Sequence, residues 1–140
     1  MKREAVLLTP AEVQTSLEPL REAATALRVG VATELQWATI GGAIEAAVLL
    51  EQRLLPRGLA EHLQSALIAL QEIRRRALAG ATWLPVEIYL QEMEHVDTAV
   101  DLHEWQLLQL SAAEANSYLG RVWTAPPPSG AVDQVQGVLA

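Results

Sequence analysis

Residues 9–30 read Thr9-Pro10-Ala11-Glu12-Val13-Gln14-Thr15-Ser16-Leu17-Glu18-Pro19-Leu20-Arg21-Glu22-Ala23-Ala24-Thr25-Ala26-Leu27-Arg28-Val29-Gly30. The first four residues carry a helix start: a hydroxyl at the cap, a proline at the first helical position and a glutamate three residues after the cap. Val13, Leu17, Leu20, Ala24 and Leu27 then recur at three- and four-residue spacing, and Gly30 supplies a stop. Pro19 falls inside the run, where it removes a backbone donor, so a kink near Leu17 or a split into two short helices is expected.

The same grammar repeats along the chain. Thr33 and Gln36 form a second capping pair, followed by the stripe Trp37, Ile40, Ile44, Ala47, Val48 and Glu51, with Pro56 and Gly58 as terminators. A third helix is expected from about Leu59 to Leu78, with Leu63, Ala66, Leu67, Leu70, Ile73 and Ala77 on one face. Its last turns hold Arg74, Arg75 and Arg76, cations that suit the negative end of a helix dipole. Pro85 and Glu87 predict the start of a fourth helix, whose stripe is Val86, Leu90, Met93, Val96, Val100, His103, Leu107 and Leu110. Ser111 and Glu114 open a shorter fifth.

No segment alternates with a period of two. Three helices of about twenty residues, each about 30 Å long, with a shorter one and short connections predict an all-α fold. The architecture expected is an antiparallel helical bundle of four to five helices in one domain over residues 1–123. Residues 124–140 begin a proline-rich stretch without a helical stripe and are expected to be a disordered, flexible tail.

Charge narrows the partners. The 140 residues carry 10 Lys and Arg against 17 Asp and Glu, a formal charge of −7. Residues 81–123 hold Arg121 alone against seven acids, whereas residues 1–80 are balanced. A duplex binder gains affinity by releasing counterions through a basic face, so this balance is against nucleic acid, with Arg74 to Arg76 the one cluster that favours it. The absence of cysteine excludes thiol catalysis and thiolate metal sites. Glu45 and Glu51 interrupt the most apolar segment, and the apolar run 5–8 is too short for a secretory signal, so no membrane is expected and the expected location is cytoplasmic.

Four residues are candidate metal ligands. Glu92-x-x-His95 puts two donors on one helical face, as in carboxylate-bridged bundles, and His62 and His103 could add imidazoles. A di-metal site needs a second such motif, and His62 follows Glu61 directly, so the partner motif is missing. No metal or cofactor is therefore expected. Asp97, Asp101 and Glu104 join His95 and His103 in a titratable patch, but no nucleophile, phosphate loop or oxyanion turn accompanies it, which argues against an enzyme. His103 on the apolar stripe reads as a hydrogen-bonded core histidine.

Interface candidates are steric. Gly41-Gly42 in mid-helix costs about 1–2 kcal/mol relative to alanines, and Ala38, Gly42 and Ala46 form a row of small side chains that lets another helix approach. That helix belongs either to the same chain or to a second copy, and a homodimer is expected. Trp105, among polar neighbours, is a candidate interface anchor.

The segments Arg57-Gly58-Leu59-Ala60-Glu61-His62-Leu63 and Asp101-Leu102-His103-Glu104-Trp105-Gln106-Leu107-Leu108-Gln109-Leu110-Ser111 resemble stretches of short uncharacterised all-helical proteins encoded in beta-proteobacterial prophages and mobile elements. The resemblance spans about residues 9–123. It implies a small accessory protein of a mobile element and brings no activity with it. Together these readings favour a non-enzymatic protein–protein interaction protein with an acidic surface on the fourth helix. The alternatives are a carboxylate/histidine metal-binding bundle and a nucleic-acid-associated regulator.

Overall fold

The computed structural model describes residues 7–53 and 58–110. They form four helices, α1 (Pro10–Arg28), α2 (Glu34–Arg53), α3 (Ala60–Ala77) and α4 (Leu90–Leu108), and no strand among the described residues. The expected fifth helix and the tail from residue 124 lie outside the described residues.

Both N-terminal capping boxes form. The Thr9 hydroxyl accepts from the Glu12 N–H (3.2 Å) while the Glu12 carboxylate accepts from the Thr9 N–H (3.0 Å). Thr33 and Gln36 exchange the same two bonds at 2.9 and 3.1 Å. Each pair satisfies two amides that the helix cannot satisfy itself. Helix α1 runs unbroken through Pro19, contrary to the expected split. Pro19 lies on the exposed face, so its ring points away from the core and water can serve the carbonyl left without a partner. Gly30 ends the helix at φ +79°, a conformation that favours glycine.

The helices pack into one bundle: α2 contacts α1, α3 and α4, and α4 also contacts α1 and α3. The stripes predicted for α1 and α3 are buried without exception. Trp37 is the largest fully enclosed side chain, and its indole N–H donates to the Leu70 carbonyl at 2.9 Å. A buried indole without that acceptor would lose about 1–3 kcal/mol. Glu51, also buried, accepts from the Gly58 and Leu59 amides at 2.9 and 3.1 Å, so its carboxylate caps the start of α3.

The fourth helix starts later than the sequence predicts. Residues 83–89 are non-helical, and α4 begins at Leu90 after an extended Tyr89. Leu84, which would be the cap before Pro85, has no side-chain acceptor for the first amides. Glu92 fills that terminal role instead and accepts from the Tyr89 N–H at 3.0 Å. The segment is held over the α1–α2 turn: the Trp83 indole donates to the Ala32 carbonyl (3.0 Å) and its ring lies 6.1 Å from that of Trp37. Gly30 sits against Val86 and Glu87, where a Cβ would meet the Val86 carbonyl oxygen at 3.5 Å. Leu90, expected in the core, is 75% exposed as a consequence.

Candidate functional site

Helix α4 carries most of the candidate residues, and the structure sorts them by what faces each one. Glu92 meets Arg76 of α3 through two hydrogen bonds of 2.6 and 2.7 Å, with the two side chains only 12% and 18% exposed. The same guanidinium donates to the Glu87 carbonyl (3.2 Å) and lies over the Tyr89 ring, 4.3 Å from its centroid. Burial raises the Glu92 carboxyl, but the Arg76 and Tyr89 hydrogen bonds outweigh it and hold the group below the ordinary carboxylate range. Arg76 is held above its ordinary value chiefly by its hydrogen bond to Glu92. This two-pronged pair is geometrically specific and clamps α3 to the start of α4.

Three other carboxylates of the helix face α1. Arg28 donates to Asp97 at 2.6 Å, and Arg21 bonds Glu104 and lies 3.7 Å from Asp101. Glu94 has no ion pair among the described residues, and neither do Glu34 and Glu87. The acidic surface expected on α4 is therefore largely matched by arginines of α1 and α3, and the carboxylate left without an ion pair there, Glu94, lies near its start.

His103 is fully enclosed. Gln106, also buried, donates its amide N–H to the Ala47 carbonyl of α2 at 2.9 Å, so its oxygen is the acceptor for the His103 Nδ1–H at 3.1 Å. This fixes the tautomer with the proton on Nδ1, and Nε2 is a buried acceptor without a partner among the described residues. Burial pushes the imidazole below its ordinary value, opposed by the Gln106 bond. The four metal candidates do not converge: Glu92 is engaged by Arg76, His95 is exposed on α4, His62 is exposed on α3, and His103 is in the core. No three His, Asp or Glu side chains are arranged to hold a metal ion among the described residues.

The steric candidates also divide. Ala46 is fully covered and Ala38 is 6% exposed, and Gly41 is buried, so the chain itself covers most of that row. Gly42 is half-buried, and Trp105 is 38% exposed. The Arg74 to Arg76 run is likewise partly engaged, since Arg75 pairs with Glu72 at 2.9 Å and Arg76 with Glu92.

Two further features were not read from the sequence. Between α2 and α3 lies a groove of about 270 Å³ lined by Val48, Leu49, Leu67 and Ile68 with glutamine side chains. Glu45 opens into it, with one carboxylate oxygen buried and without a partner among the described residues, and burial pushes the carboxyl up to about 7. The second feature lies at the end of the bundle where α1 stops and α4 starts. Val29, Val31, Leu35, Leu84, Tyr89 and Leu90 are exposed there, six of the nine large apolar side chains that the described residues show to solvent. A grouping of this kind marks an interaction surface more readily than single exposed residues do. The signal available in the sequence was a run too apolar for a connection, Trp83 to Leu90, without a helix cap before it. Compared with known proteins, the chain matches no family model, no curated protein and no solved structure.

Proposed function

We propose that the chain is a non-enzymatic interaction protein, an antiparallel helical bundle in the cytoplasm that presents an acidic helical surface to a basic protein partner, as a small accessory protein of a mobile element. One observation carries the reading. Of the six arginines among the described residues, Arg21, Arg28, Arg75 and Arg76 are engaged by carboxylates of the same chain and only Arg53 and Arg74 have no ion pair there, while the six carboxylates of Glu18, Glu22, Glu34, Glu61, Glu87 and Glu94 have none. The field that a partner meets is therefore set by carboxylates. The antiparallel arrangement is supported by the order of the α1–α4 pairs, since Arg21 meets Glu104 and Arg28 meets Asp97.

Titration with a lysine-rich peptide, at low salt and at about 0.15 M salt, tests the reading. Binding that weakens with salt is the expected result, together with no retention on a DNA duplex at either salt. Retention on the duplex, or no binding of the peptide at low salt, contradicts it.

A further inference from the structure

The exposed apolar end of the bundle has three properties that specify an occupant. It is wide: its side chains come from the α1–α2 turn, from the first turn of α2, from the extended segment 83–89 and from the first residue of α4. It is not a usable strand edge, because Pro85 has no amide donor, the Leu84 amide is already bonded to the Ala77 carbonyl (2.9 Å) and the Glu87 carbonyl accepts from Arg76. Its border is acidic. Glu34 precedes Leu35, Glu87 lies within the extended segment, and Glu94 is one helical turn beyond Leu90 on the same face. None of the three has an ion pair among the described residues, while of the cations at this end Arg28, Arg75 and Arg76 are engaged by Asp97, Glu72 and Glu92, and Arg74, half-buried in the last turn of α3, is the one left without an ion pair among the described residues.

We infer that this end of the bundle seats an amphipathic helix of a protein partner, with its apolar face on Leu84, Tyr89 and Leu90 and lysines or arginines on its flanks against Glu34, Glu87 and Glu94. The inference rests on the proposed function and gives it a location. An apolar helix face laid on an apolar surface supplies affinity, and flanking cations opposite unpaired carboxylates set orientation and exclude acidic competitors. Tyr89, stacked under Arg76 and 62% exposed, is a fixed aromatic of the kind that anchors interfaces. A second copy fits less well, because a two-fold contact through this end would set the three carboxylates of one copy near those of the other.

The test uses the full chain and three synthetic peptides: an amphipathic helix of leucine and lysine, a scramble of it with no apolar face, and a leucine and glutamate counterpart. Calorimetric titration is expected to show binding of the first, at least about tenfold weaker binding of the scramble and none of the third. Leu90→Ser is expected to weaken the first peptide about tenfold. Replacing Glu34, Glu87 and Glu94 by glutamine is expected to remove most of the salt dependence. An unchanged Kd in Leu90→Ser, with salt-sensitive binding intact, overturns the location and leaves the acidic-surface reading standing. Failure of every lysine-bearing peptide at low salt overturns that reading itself. Three controls name other occupants, each of which would overturn the inference. They are a dimer in sedimentation that Leu90→Ser dissolves, uptake of neutral phosphatidylcholine vesicles that Leu90→Ser abolishes, and broadening of the Leu90 signals by a spin label on Ala140→Cys without peptide. The chain has no other cysteine, so that label is site-specific.

Discussion

The two halves of α4 have similar compositions and opposite surroundings. In the second half the polar side chains meet partners from the same chain: Asp101 and Glu104 face Arg21, His103 bonds Gln106 through Nδ1, and Gln106 reaches the Ala47 carbonyl. In the first half, Glu92 and Asp97 are equally well matched, but Leu90 and Glu94 between and beside them face solvent. Acidity along a helix therefore does not by itself define a binding face. What decides is whether a neighbouring helix presents an arginine opposite each carboxylate, and here α1 and α3 do so everywhere except around Leu90.

The largest effect that can break this contrast comes from the clamp at the boundary. Arg76→Ala strands the buried Glu92 carboxylate and releases the Glu87 carbonyl, and is expected to cost about 3 kcal/mol in urea unfolding. A loss below about 1 kcal/mol would mean that the pair is wetter than the structure shows.

Next are two groups with opposite pH dependence, the enclosed His103 and the half-buried Glu45. The folded state holds His103 below its ordinary value, so at high pH it is neutral in both states and costs nothing. As pH falls below about 6.5, the unfolded chain takes up a proton that the folded chain refuses, and stability drops by up to about 1.4 kcal/mol per pH unit. Glu45 runs the other way. Its folded value is raised to about 7, so its contribution is fully present below the ordinary carboxylate value and is lost as pH rises through 7. The two slopes oppose each other on acidification from neutral pH. Unfolding midpoints of Glu45→Gln are expected to decline on acidification, and those of His103→Leu to rise. Glu45→Gln is further expected to stabilise the chain by about 1 kcal/mol at pH 8, a figure reduced for the partial exposure of the group, and by nothing at pH 4.

Smaller still is Arg21→Ala. It removes the cation facing Asp101 and Glu104, but Asp101 is mostly exposed and the Arg21–Glu104 pair is only partly covered, and a loss under about 1 kcal/mol is expected. Its value lies in binding: freeing two carboxylates in the second half of α4 should let a lysine-rich peptide bind there as well. Last, Leu90→Ser should leave stability within about 0.5 kcal/mol, since the side chain packs against little, while it weakens the partner surface.

What was legible in the sequence follows the range of each interaction. The boxes at Thr9 and Thr33 span three residues, and the structure forms both as read. The placement of His103 in the core was legible from its register between Val100 and Leu107. The start of α4 was not, because Pro85 and Glu87 imitate a helix start locally while the deciding contacts come from Arg76 and Ala32, up to 51 residues away. The same distance hides the neutralisation of the acidic face, whose arginines lie 69 and 83 residues before the carboxylates they meet. Arg76 itself was read as a complement to the α3 dipole and proves to be a clamp as well. Glu51 was counted as part of the stripe of α2 and as a charge interrupting its most apolar segment. Gly58, seven residues on and at φ +78°, is the signal that its turn brings amides back toward that carboxylate.

The contrast between the halves of α4 is tested most directly by mapping backbone amide shifts while the leucine and lysine peptide is added. The account predicts perturbations at residues 29–35 and 84–94, including the Trp83 indole N–H, with residues 101–110 unmoved. Shifts centred on Trp105 and the second half of α4, with Leu90 silent, would contradict it.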